Sequence, residues 1–264
     1  MGEIIFNGRS SRDIGLEVET FPMYQTPKRS YEKVHIPGRN GDLLIDSGSW
    51  ENATRTYYIS IGSHDESYYS MMNRVYEWLR STTTYARLED SYEPECYRLA
   101  VFLEESDMSN IYNQGGKTTI EFDCKPQRFL KIGDEPIDIG QMIENLEDSI
   151  GELVLDSNGR PISSYNEKYF RIQNPTGFVS LPIINVYGYG SGTLTVGDYP
   201  VIISEIGGAI IIDSEIQDAY YNTINKNSMI TIPNGFPKLS VGKTSIGFSG
   251  GITKVEVVPK WFTL

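Results

Sequence analysis

The sequence predicts a mainly β protein of two domains, an N-terminal β-rich domain with one α-helix and a projecting hairpin arm, and a C-terminal β-sandwich. Three observations predict it. Short strand-like runs separated by turn residues extend over most of the 264 residues. A single stretch has convincing helical apolar spacing. Glycine usage also shifts after Pro126, with 16 of the 25 glycines beyond it. Proline cannot donate to a β-ladder, so Pro126 is expected to interrupt the last strand of the first domain. The division is therefore expected between residues 1–129 and 130–264.

In chain order, the first strands are expected at Glu3 to Phe6, Leu16 to Phe21 and Thr54 to Ile61, the last because TYYISI alternates. Pro27 to Trp50 includes HIPGRNGDLLIDSGSW. Its Pro-Gly and Asn-Gly steps mark tight turns, and Asn-Gly is a strong two-residue hairpin signal. This hairpin carries Ile36 and Leu43 to Ile45 at its flanks and should project from a compact core. A helix follows at about residues 64–80, capped by Ser63 and Glu66, with Tyr68, Met71, Met72, Val75, Trp78 and Leu79 on one face. That stripe reads as a core-facing surface. The runs YRLAVFL and KTTIEFDC then suggest a hairpin centred near Asn110, with Cys96 and Cys124 facing each other as reduced, partly buried thiols.

In the second half, VSLPIINVYG, GTLTV, VIIS, AIIID, MITI, TSIGF and ITKVEVV are short strands at the spacing of a sandwich. Within residues 140–168, QMIENLEDSI suggests a short helix and DSNGRP a turn.

Composition excludes several classes of function. The net charge is −12, with 14 basic against 20 acidic residues through Arg128 and 9 against 15 after it. Each half is equally acidic, and no basic stripe exists to neutralise phosphates, so stable nucleic-acid binding is not expected. No apolar run approaches the roughly 20 residues that cross a bilayer, so membrane insertion is not expected. The opening MGEIIFNG lacks a basic end and an apolar core, which predicts no signal peptide and synthesis in a cytoplasm. Two cysteines are too few for a disulfide framework.

The motifs that carry chemistry fail one by one. Gly247, Ser249 and Gly251 match the nucleophile elbow G-x-S-x-G, but a strand follows where a helix is needed, and no histidine lies beyond. A hairpin turn is expected there. Gly188, Gly190 and Gly192 lack the spacing and the following helix of a dinucleotide loop and are expected to be turn residues between two strands. Asp156 to Gly159 begins like a calcium loop without the later ligands. His35 and His64 have no partner at metal-ligand spacing. Glu104, Glu105 and Asp107 share a polar loop. No catalytic, cofactor-binding or metal residue is assigned, and no cofactor is expected.

Three stretches together resemble the distal tail protein family of siphophages that infect Gram-positive bacteria. FNG at Phe6 to Gly8 and SRDIGL at Ser11 to Leu16 precede VHIPGRNGDLLIDSGSW, whose P-G-R-x-G-D-L core spans Pro37 to Leu43. FDCKPQRF at Phe122 to Phe129 is similar to the family's F-x-C-x-P segment. The C-terminal IDSEIQDAYY, GFPKLSVGKTSIGFSGG and TKVEVVPKWFTL resemble the family's last strands, with the terminal P-x-W at Pro259 and Trp261. The sequence departs from the family between Leu130 and Tyr169, before the N-P-T-G segment at Asn174 to Gly177.

The resemblance implies a structural protein at the tail tip of a phage or phage-derived particle, and no enzyme. The first domain would form a homohexameric ring, with the hairpin as a belt arm reaching the neighbouring subunit. Interface residues would be Pro37, Gly38, Arg39, Gly41, Asp42, Leu43, Leu44 and Trp50. The second domain would be a sandwich of galectin or carbohydrate-binding-module type. Implied partners are the tail tube and tape-measure proteins above, and the tail-associated lysin or fibre hub and receptor-binding proteins below. Two alternatives come from the residues themselves. One is a carbohydrate-binding accessory module using Tyr187, Tyr189 or Phe178; the other is a hydrolase using two carboxylates brought together by the fold.

Overall fold

The computed structural model describes residues 2–19, 26–62, 68–103, 109–110, 115–139 and 168–264. The expected capping box at Ser63 and Glu66, His64, the carboxylates at 104, 105 and 107, and the uncertain stretch 140–167 lie outside them. The chain divides into two compact units, one of Met1–Phe129 with Leu264, the other of Leu130–Thr263.

The first unit begins with β1 (Ile4–Phe6), β2 (Arg9–Ser10) and β3 (Leu16–Val18). β4 (Arg29–Val34) and β5 (Leu43–Trp50) follow, then the long β6 (Ala53–Gly62). After α1 (Tyr68–Leu79) come β7 (Ala86–Asp90), β8 (Cys96–Val101), β9 (Ser109–Asn110) and β10 (Gly115–Leu130). One sheet runs β2-β1-β7-β8-β10-β6-β3. The Gly2 amide donates to the Val18 carbonyl in an antiparallel bridge, which returns β3 to the start of β1 and curls the sheet into a small barrel.

Alternation along each strand fills the barrel. Ile4, Phe6, Leu16, Val18, Tyr57, Ile59, Ile61, Leu88, Ala100, Ile120 and Phe122 all enter one buried cluster. The helix adds Met71, Met72, Val75, Trp78 and Leu79 to the same cluster, as its apolar spacing predicts. Among the described residues it spans Tyr68–Leu79; the expected start at 64 lies outside them. The Trp78 indole N–H donates to the carbonyls of Phe6 (3.3 Å) and Arg9 (3.2 Å), holding the helix to the β1–β2 turn.

The F-x-C segment now has a physical reason. Phe122 and Cys124 are two apart on β10, so both face the core, and Phe122 packs against Phe6 at 4.9 Å between ring centroids. β10 is not interrupted at Pro126, contrary to expectation. The last β6–β10 pair is Ala53 with Cys124, so the proline lies where no β6 partner asks for its missing N–H. β8 and β10 are neighbours in the sheet, and both cysteines are free thiols.

The second unit contains β11 (Ile137–Asp138), β12 (Lys168–Asn174), β13 (Ile183–Val196) and β14 (Tyr199–Ile203). β15 (Gly208–Asp213), β16 (Asp218–Tyr221), β17 (Ile224–Asn225) and β18 (Ile230–Thr231) follow. The 17-residue β19 (Gly242–Val258) and the short β20 (Phe262–Thr263) complete it. Its two layers are made by folding one sheet. The first part of β13 pairs with β15 and with the end of β19, while its later part pairs with β14 and the start of β19. Val186, Ile210 and Val257 from one layer and Leu194, Val201 and Ile246 from the other fill a shared core. Trp261 of the P-x-W ending joins that core.

The fold line overturns two expectations. Gly188, Gly190 and Gly192 do not separate two strands, and Gly250 and Gly251 do not make a hairpin turn. Both groups lie inside continuous strands, at the register shifts where β13 and β19 bend together. A side chain on Gly251 would overlap the Tyr189 carbonyl, and one on Gly188 would overlap that of Gly251. Glycine serves here for close backbone approach, as a bent strand pair requires. Ser249 therefore sits in a strand, in no nucleophile elbow. The N-P-T-G segment is a true turn: Asn174 Oδ1 accepts from the amide and hydroxyl of Thr176, both at 2.9 Å.

Candidate assembly interface

Among the described residues, β4 and β5 pair only with each other, as a two-stranded ribbon outside the barrel sheet. The register sets Val34 opposite Leu43, Lys33 opposite Leu44, Glu32 opposite Ile45 and Tyr31 opposite Asp46. Opposed residues share a face, so Leu43 and Ile45 lie on one face and Leu44 and Tyr31 on the other. All four are exposed, Leu44 at 56 % and Tyr31 at 51 %. No residue of this ribbon enters the barrel's buried cluster. An isolated two-stranded ribbon is marginally stable in water and gains from burial against another surface.

The expected interface residues take distinct places. Pro37 and Gly38 are the centre of a tight turn closed by the Arg39 amide on the Ile36 carbonyl (3.1 Å), with Gly38 at φ 82°. Proline followed by glycine at positive φ is the pattern of a type II turn. Asn40 and Gly41 do not form a two-residue hairpin turn, because the strands end at Val34 and Leu43 and the whole of 35–42 connects them. The Pro-Gly turn has taken over the reversal. Asp42 approaches the His35 Nδ1 at 3.4 Å across this loop. Leu43 and Leu44 are exposed on opposite faces.

Trp50 is different. Within its own chain, the Arg29 guanidinium lies 5.0 Å from its ring centroid. Arg29 Nε also donates to Asp46 Oδ1 at 3.0 Å, and the Gly48 amide donates to the same oxygen at 2.9 Å. The hydrogen bond from Arg29 holds the Asp46 carboxyl below its ordinary range. Trp50 thus belongs to the arm's own base. Tyr31, Ile36 and Ile45, which sequence reading did not assign to the interface, extend the exposed apolar surface. Strict alternation in LLID would have signalled them only if one face were buried.

Among the described residues, the other candidates are not brought together. Phe178 stacks on Phe262 at 5.5 Å, and the Tyr187 hydroxyl donates to Glu256 at 2.9 Å. Tyr189 is 77 % exposed at the bend of β13. Burial pushes the Cys124 thiol up to about 12, which keeps it protonated and unreactive. The buried charges of the barrel are saturated by each other. Asp90 accepts from the Tyr57 hydroxyl (2.7 Å), from Arg55 (3.0 Å) and from the amides of Tyr92 and Glu93. Glu93 in turn pairs with Arg55, Arg98 and Arg128.

Residues 11–124 match the family described as the phage tail protein RIFT-related domain. The matched residues lie in the first unit, which is therefore similar to a phage tail domain. The matched span holds the helix, the arm and the barrel strands from β3 to most of β10, while β1 and β2 precede it. The solved structures extend the likeness beyond the matched residues. The Dit protein of phage SPP1, described as a paradigm of the hub adsorption apparatus in Gram-positive infecting phages, superposes with a TM-score of 0.68 over 100 % of both chains, at 12 % identity. A chain of the phage p2 baseplate in its activated conformation superposes at 0.52 over 97 % of this chain and 96 % of that one, at 11 % identity. At such identities the likeness is one of fold. No match was found among curated proteins. The resemblance to siphophage distal tail proteins holds, supported by the family match over residues 11–124 and by fold over the whole chain.

Proposed function

We propose that this chain is the structural distal tail protein of a siphophage or phage-derived particle, and that six copies form a ring at the tail tip. The observation that carries the reading is the ribbon of β4 and β5, whose apolar residues on both faces lie outside the core of their own unit. In a head-to-tail ring each arm finds a neighbour and none is left over. Pro37, Gly38, Arg39, Gly41 and Asp42 would shape the arm's tip, and Leu43 and Leu44 would bury against the next subunit. Trp50 would brace the base. The first unit, residues 1–129, is assigned to the ring and the second, residues 130–264, to its periphery. The SPP1 protein's description as part of a hub supports placing the ring between the tail tube and tape-measure proteins and the fibre hub, lysin and receptor-binding proteins.

A net charge of −12 fits a passage that lets DNA through without retaining it. No residue is assigned a catalytic role. Native mass spectrometry of the full chain tests the reading: hexamers that dissociate on Leu44→Ser support it. A chain that stays monomeric at all concentrations, or a ring indifferent to the arm, overturns it.

A further inference from the structure

The arm leaves the barrel through a very short root. β5 ends at Trp50 and β6 begins at Ala53, which is already paired with Cys124 of β10. Glu51 and Asn52 alone separate them, and both are exposed. With nothing holding these two residues, their backbone torsions would let the ribbon swing as a lever. Three side chains converge on this point. Asn52 Nδ2 donates to Asp123 Oδ2 at 2.7 Å and to the Tyr85 hydroxyl at 2.6 Å. The Tyr85 hydroxyl donates to the same Asp123 oxygen at 2.6 Å. The triangle is self-consistent, since an amide nitrogen has two hydrogens and a phenol both gives and takes one.

Its members come from three places in the barrel wall. Asp123 is on β10, opposite Thr54 of β6; Tyr85 immediately precedes β7; Asn52 is the root itself. Hydrogen bonds to a carboxylate are about twice as strong as neutral ones. The returning strand is tied to the outgoing one, because the Glu51 amide donates to the Lys28 carbonyl at 2.8 Å and Lys28 pairs with Glu51 at 3.5 Å. Fixing Asn52 therefore fixes both strands of the ribbon. None of the three contributes to the barrel's buried cluster.

We infer that Asn52, Tyr85 and Asp123 form a clasp that sets the direction in which the arm leaves the barrel, and so presents it ready-oriented for docking on a second copy of this chain. The docking half of the inference rests on the proposed ring. Orienting a segment before it binds removes part of the ordering cost of association. The three residues are positioning residues and need touch no neighbour.

The test uses the full chain with spin labels at positions 40 and 77, Asn40→Cys and Glu77→Cys, in a Cys96→Ser background under dissociating dilution. Asn52→Ala, and separately Tyr85→Phe, should broaden the label-to-label distance distribution while leaving the thermal transition of the first unit within a few degrees. The same variants should raise the concentration at half-assembly by about ten-fold, the effect of losing one charge-assisted hydrogen bond. An unchanged distance distribution in both variants overturns the clasp. A broadened distribution with unchanged assembly overturns its role in docking. Leu44→Ser separates the two levels, because it should weaken assembly with the distribution unchanged. If Leu44→Ser leaves assembly intact, the ring reading fails, and the distance distribution still decides the clasp.

Discussion

Arg29 and Trp50 sit at opposite ends of the ribbon's sequence and meet at its base, with the guanidinium 5.0 Å from the indole centroid and its N–H edge donating to Asp46. The pair makes Trp50 a brace within one subunit, where sequence reasoning alone points to a contact between subunits. Leu44, 56 % exposed, is the residue with apolar surface to spare. Leu44→Ser should therefore weaken assembly by about 2 kcal/mol per interface, the scale of an interface hot spot. Trp50→Ala should weaken it less, while loosening the arm in the free monomer. Sedimentation equilibrium of both variants, with amide exchange across β4 and β5, checks the ordering. A Trp50 effect larger than that of Leu44 would place the indole at the interface after all.

Residues 1–129 contain a complete apolar cluster, a closed sheet and the arm. A fragment ending at Phe129 should fold and assemble, with a cooperative thermal transition and a mass above that of a monomer by light scattering. A folded but strictly monomeric fragment would move the ring contacts to the second unit.

The bend of the second unit depends on glycines that have no room for a β-carbon. Gly251→Ala forces a methyl group into the Tyr189 carbonyl. Both groups are backbone-bound in strands that the core holds on either side, so relief requires shifting the fold line. The cost should be about 1–3 kcal/mol or more, read as a lower melting temperature of the second unit alone. Ser249→Ala, one residue from the bend and in no elbow, should leave stability nearly unchanged.

Much of this architecture is legible in the sequence because it follows local rules. Alternation in TYYISI gives β6, and the spacing from Met71 to Leu79 gives the buried face of α1. Pro37-Gly38 encodes its own turn. What stays hidden depends on partners distant in the chain. Glycine in GYGSG and GFSGG has the same local meaning in a hairpin turn as in a bent strand; only the approach of β13 to β19 separates the two. Likewise nothing near Asn52 announces Asp123, which is 71 positions away. The partnership of Trp50 with Arg29 is likewise set only by the β4–β5 register, which brings the two opposite each other.

The barrel's buried ion cluster makes acid its weakness. Burial alone would raise the carboxyl of Asp90, whose side chain is 2 % exposed, yet the Tyr57 hydroxyl and Arg55 outweigh it and hold it below the ordinary range. Glu93 follows the same pattern, with burial opposed and overcome by Arg98, Arg55 and Arg128. A carboxylate with a depressed folded-state pKa stabilises the fold fully above its unfolded value, about 4, and loses that contribution as pH falls through the lower folded value. The first unit should therefore be flat in stability from neutral pH down to about 5 and weaken steeply below about 4. Asp90→Asn keeps the shape but removes the nearer carboxylate from Arg55, which retains Glu93 at 3.5 Å, and should cost about 1–3 kcal/mol at neutral pH. It should also flatten the acid limb, since one of the titrating groups is gone. Calorimetry of the intact chain between neutral pH and pH 3, following the transition of the first unit in both proteins, measures the two effects together. An acid limb of equal steepness in the variant would assign the loss to other carboxylates.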